Sequence, residues 1–81
     1  MNLKNIKGFL ALYEQFLAVY SKSELARLMA IQQGRDPADV PEAVALKARI
    51  EAVYAEAERK YGVKAHYLGL IGREVKRIVE A

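Results

Sequence analysis

The chain reads as an all-α protein, a small helical bundle, on three observations. Apolar residues recur at helical spacing through nearly all of it, thirteen of its 81 residues are alanine, and no stretch alternates with period two long enough to make a strand. Hydrophobic residues make up 53% of the chain, too many for a disordered polymer. The expectation is one domain, 1–81, of three long helices with the first kinked or broken near Ser21, three to four helices in all. Their approximate spans are 3–20, 22–33, 40–61 and 66–80, with a connector at 34–39.

The first helix carries two apolar rows. Ile6, Leu10, Tyr13, Leu17 and Tyr20 share one face, and Phe9, Leu12, Phe16 and Val19 form a second row beside it. At about 100° per residue the two rows span roughly 180°, wider than the stripe a surface helix needs. Either the rest of the chain wraps this helix or one row meets another molecule. The first row is expected to face its own chain. Phe9, Leu12, Phe16 and Val19 are the expected protein interface, because phenylalanines at helical spacing suit self-association or helix-in-groove binding.

Ser21-Lys22-Ser23-Glu24 matches a capping box, with Tyr20 and Leu25 placed for a hydrophobic staple, so a fresh helix is expected from about Lys22. Its inner face would be Leu25, Leu28, Met29 and Gln32, and Gly34 fits the residue just past its end. Pro37 and Pro41 cannot both lie within a regular helix, which makes Arg35–Pro41 the connector. Asp39, three residues before Glu42, reads as the next N-cap, with Pro41 in the tolerant first turn. The following helix would bury Leu46, Ile50, Val53, Tyr54, Ala57 and Tyr61. It turns a smooth side of Ala45, Ala48, Ala52 and Ala55 to a close-approaching backbone, and it stops at Gly62. The last helix aligns Leu68, Ile71, Val75, Ile78 and Val79. Gly69 and Gly72 each cost about 1 kcal/mol relative to alanine in a helix, so they mark close helix contact or irregular backbone over 67–72.

Charge is segmental. Residues 1–35 hold five Lys/Arg against two Glu, residues 36–58 two against six acids, and residues 59–81 six against two. The middle helix can therefore dock between the outer segments, and the basic ends can meet an acidic partner or nucleic acid. Lys64, Arg73, Lys76 and Arg77 form the candidate patch for an anionic partner.

The sequence supplies little for chemistry. With one histidine, no cysteine and scattered carboxylates, neither a metal nor a cofactor is expected, and no enzyme activity. Isolated glycines make no phosphate cradle. Lys4 and Lys7 ahead of Phe9–Tyr20 imitate a signal peptide, but Glu14 and Gln15 interrupt the apolar run, so the expected location is cytoplasmic, with no membrane span.

Two short resemblances stand beside this reading. Ser23-Glu24-Leu25-Ala26-Arg27-Leu28 resembles the opening helix of helix-turn-helix DNA-binding domains, which implies a recognition helix next. The chain instead continues into an acidic, proline-containing connector and then an acidic helix, which phosphates repel. Arg59 and His66, six residues apart, are similar to the Arg-x(4–6)-His motif of HEPN-type ribonucleases. That resemblance implies an imidazole base and a guanidinium at a scissile phosphate, although Gly62 breaks the segment between them.

The functional expectation is a non-enzymatic protein–protein interaction module: a small regulator, adaptor or inhibitor of bacterial or phage accessory type, working as a homodimer. A nucleic-acid-associated regulator using the basic ends is the alternative, and a ribonuclease using Arg59 and His66 ranks third.

Overall fold

A computed structural model describes residues 5–81. Its elements are α1 (Ile6–Gln32), a 3-10 turn (Pro37–Asp39), α2 (Pro41–Tyr61) and α3 (Ala65–Glu80). The small all-α bundle expected from the sequence is therefore present. Leu3 and Lys4, within the expected first helix, lie outside the described residues.

Asn5 starts α1. Its side-chain oxygen accepts from the Gly8 amide at 2.8 Å, satisfying one of the helix's free donors. The helix then runs for 27 residues without interruption, which corrects the break expected at Ser21. The physical reason lies in Glu24. Its carboxylate accepts from the Arg27 guanidinium at 2.8 and 3.0 Å instead of reaching back to Ser21. Tyr20 and Leu25 are both solvent-exposed, so no staple closes either. Serine continues a helix at a cost of only about half a kcal/mol, whereas an interruption frees backbone groups that then need new partners.

The helix ends as the sequence indicates. Gly34 adopts φ +71°, the Gly34 amide donates to the Ile31 carbonyl, and the Arg35 amide donates to the Ala30 carbonyl at 2.9 Å. That pairing is a Schellman stop, and it requires the left-handed backbone that glycine tolerates. Asp36 caps the 3-10 turn by accepting from the Ala38 amide at 3.0 Å. The residue preceding α2 is Val40, with Pro41 in the first turn, so Asp39 is not the N-cap. The turn has already committed Asp39, whose amide donates to the Asp36 carbonyl.

α1 and α2 form an antiparallel hairpin. The ring of Phe9, near the start of α1, meets Tyr61, at the end of α2, edge-on at 5.3 Å, and Phe16 meets Tyr54 at 5.7 Å. α2 buries Ala43, Leu46, Ile50, Val53, Ala57 and Tyr61 against α1. Its alanine side faces solvent: Ala45, Ala48, Ala52 and Ala55 are exposed. Gly62, at φ +68°, turns the chain so that Val63 and Leu68 enter the core.

α3 packs over the hairpin at the Tyr61 end. Gly72 is buried there, and a Cβ at that position would fall within the Tyr13 ring, while Gly69 lies against Phe16. Close contact, not irregular backbone, explains these glycines, since α3 is continuous from Ala65 to Glu80. With 16 residues against 27, α3 reaches about 24 Å to about 40 Å for α1. It covers only part of the hairpin. The molecule is correspondingly long and thin, 44 × 26 × 16 Å.

Candidate protein-binding surfaces

The residues expected to form an interface are the core. Phe9, Leu12, Phe16 and Val19 are between 0% and 7% exposed within a single chain. They interlock with Ile50, Val53, Ala57, Tyr61, Val63 and Leu68. A dimer built on this row would require opening the hairpin. The assignment of the two rows is thus reversed at its ends: Ile6, Leu17 and Tyr20, expected inside, are exposed, and Tyr13 alone of that row is fully buried. Tyr13 and Leu10 are covered because α3 crosses α1 on that side.

Excess apolar surface lies instead on the far half of α1. Leu17, Tyr20, Leu25, Leu28, Met29 and Ile31 are all exposed, as is Val44 facing them from α2. These side chains have the helical spacing of a core-facing segment, yet only Ala30 in this half of α1 is buried. The cause is geometric. The contacts of α3 with α1 run through Tyr13, Glu14 and Phe16, and from Leu17 onward the hairpin is two helices without a third.

Two grooves run along the seam between the helices, one on each side of this uncovered hairpin. The groove on the side opposite α3 encloses about 560 Å³, with Leu25, Met29, Val40 and Leu46 as its apolar lining. Its rim carries Lys22, Arg35 and Arg49 against Glu42, a basic excess. The groove on the α3 side encloses about 650 Å³, with Tyr20, Val44, Pro37 and Ile50 lining it. Its rim is balanced, Glu24 and Asp36 against Arg27 and Lys47. Arg27 holds the Glu24 carboxyl below the usual carboxylate range, chiefly through their hydrogen bond, so the pair stays ionised at neutral pH.

The four cations of the expected anionic-partner patch do not all stand together. Lys64 precedes α3 and Lys76 lies about 18 Å further along it by helical rise. Lys76 Nζ bonds the Glu14 carboxylate at 2.6 Å, tying α3 to α1, and this bond raises the lysine above its ordinary pKa. Arg77 pairs with Glu74 at 2.9 Å. Arg73, Lys76 and Arg77 share one face of α3, the last two each beside a carboxylate of the chain itself, and Lys64 stands apart from them. Of the basic N-terminal segment, Lys4 lies outside the described residues and Lys7 is exposed.

Arg59 and His66 occupy the last turn of α2 and the first turn of α3, both exposed. The His66 ring packs on Tyr67 at 4.2 Å, and neither residue lines either groove. Among the described residues there is no group of three or more potential metal ligands, and no helix long and apolar enough to cross a membrane.

Sequence reasoning reached Leu25, Leu28 and Met29 but assigned them to an inner face. The missed signal was length: a helix that continues through Ser21 outruns any third helix the chain can supply. No family model, curated protein or solved structure matches the chain.

Proposed function

We propose that the chain is a non-enzymatic protein-interaction module, a small regulator, adaptor or inhibitor that acts by occupying the surface of another protein. The observation that supports this reading is the uncovered half of the α1–α2 hairpin. Leu25 and Met29 stand 59% and 48% exposed beside a groove already shaped between two helices. Apolar anchors at helical spacing in a preformed groove are the means by which helical modules take up a partner's helix. The basic rim of Lys22, Arg35 and Arg49 selects the partner's chemistry: an amphipathic helix with acidic residues flanking its apolar stripe.

The test is capture from the native host on immobilised protein, read by mass spectrometry and compared with a Leu25→Asp, Met29→Asp double variant. The expected result is a partner retained by the wild type and lost from the variant, while helicity by circular dichroism is unchanged. Equal retention by both proteins, or no specific retention by either, contradicts the proposal.

A further inference from the structure

The balanced groove, on the α3 side, fits a different occupant. We propose that a second copy of the chain docks there, α1 against α1 in antiparallel register, so that two hairpins close into a four-helix bundle. This rests on reading the uncovered hairpin as a binding surface, and it names the occupant of the face that the basic-rimmed groove leaves free.

Two observations place the symmetry axis within one residue of each other. The first is charge. An antiparallel pairing about an axis between Leu25 and Ala26 sets Glu24 of each copy opposite Arg27 of the other, and Tyr20 opposite Ile31. Tyr20, Glu24, Arg27 and Ile31 lie on the same side of α1, spaced four, three and four residues apart, the spacing of a helix–helix seam. Tyr20, Glu24 and Arg27 all line this groove. A two-fold interface must be self-complementary, and a neutral rim with one carboxylate and one guanidinium symmetric about the axis meets that condition. The opposite groove, with three cations to one carboxylate, would repel its own copy.

The second observation is coverage. α3 occupies this side of α1 through Tyr13 and Phe16, and α1 ends at Gln32. The open helical segment therefore runs from Leu17 to Gln32, and its midpoint, between Glu24 and Leu25, lies within one residue of the axis that charge sets. In this register the open segments of the two copies overlap, so the third layer missing from the far half of the hairpin is supplied by the partner.

The extent is adequate and modest. From Leu17 to Gln32 is roughly 24 Å of helix, and two helices side by side are roughly 20 Å wide, giving a flat footprint near 480 Å² per copy. The pair of footprints comes to about 1,000 Å², the lower bound of specific interfaces, which implies a concentration-dependent dimer rather than a permanent one.

Sedimentation velocity of the intact chain across a concentration series tests this with two variants, Glu24→Arg and Arg27→Glu. Each places like charges across the axis, so each is expected to weaken self-association at least tenfold. Mixed in equal amounts, the two variants are expected to recover the wild-type mass as a heterodimer. In that mixture every cross-axis pair is again opposite in sign, while neither chain regains its internal Glu24–Arg27 bond. Recovery therefore reports contact between chains and not helix stability. A wild type that stays monomeric throughout, variants that associate like the wild type, or a mixture no tighter than its components overturns the proposal. Should it fail while Leu25 and Met29 still govern partner capture, the interaction function stands and only this occupant is wrong.

Discussion

Both halves of α1 carry large apolar side chains at helical spacing, and the two sets have opposite fates. From Phe9 to Val19 the helix sinks its phenylalanines into a core shared with α2 and α3. From Tyr20 to Ile31 it carries a tyrosine, two leucines, a methionine and an isoleucine that remain in solvent. The near half is the more apolar, nine hydrophobic residues of eleven against seven of twelve, but five large apolar side chains in the far half still go uncovered. The difference is whether a third helix lies above them, and α3 is too short to reach both. Burial is thus decided by a length relation between distant parts of the chain.

That comparison can be broken most forcefully by placing the same charge in each half. Phe16→Asp puts a carboxylate into the aromatic cluster with Tyr13, Tyr20 and Tyr54. It is expected to cost at least about 3 kcal/mol, a large part of the stability of a domain this size, and to abolish the cooperative melt by circular dichroism. Leu28→Asp, at a side chain 53% exposed, is expected to change stability by no more than about 0.5 kcal/mol in the same assay. Comparable losses from both would mean that the far half is packed as tightly as the near half.

Next in size is the contact that fixes α3. Gly72→Leu drives a side chain into the space of the Tyr13 ring and is expected to destabilise by about 1–3 kcal/mol in denaturant titration. Pairing it with Tyr13→Ala should recover part of that loss, because the ring is the obstacle. A Gly72→Leu chain as stable as the parent would mean that α3 does not seat against Tyr13.

A smaller effect with a decisive sign comes from Ser21→Ala. At an N-cap this change costs about 1 kcal/mol; inside a continuous helix it gains a few tenths. Uninterrupted α1 predicts the gain, read as a slightly higher thermal midpoint. The smallest expected effect is that of Lys76→Met, which removes the exposed pair with Glu14. Because the folded protein raises the pKa of Lys76, the pair's contribution is complete below the ordinary lysine value of 10.5 and is lost as pH rises through the higher folded value. The melting difference between Lys76→Met and wild type should therefore be constant near neutrality, vanish at strongly alkaline pH, and shrink in high salt.

What could be read from the sequence depends on the range of the forces involved. Gly34, Gly62 and the Pro37–Pro41 connector were legible because a left-handed φ or a missing amide is a property of the residue itself. The all-α class and the inner face of α2 were legible because periodicity records them. On α3 the same periodicity is right for buried Leu68 and half-buried Ile71 and Val75, but Ile78 and Val79, expected on that face, are exposed because the end of α3 has no helix beneath it. Ser21 misled because a capping-box pattern also fits an exposed helical surface, where Arg27 competes for Glu24. The two rows of the first helix were exchanged because choosing between them depends on where α3 crosses, and that is set by Gly72 against Tyr13, residues 59 positions apart. The exposed apolar face of the far half shares that origin. It is uncovered because α3 lies over the near half alone, and only the assembled fold shows this.

Amide hydrogen exchange along α1, measured by NMR at a low and a high protein concentration, tests the central claim most directly. A helix covered only in its near half should show strong protection from Phe9 to Val19 at both concentrations, and weak protection from Tyr20 to Ile31 that rises as chains associate. Uniform protection along the whole helix, independent of concentration, would contradict it.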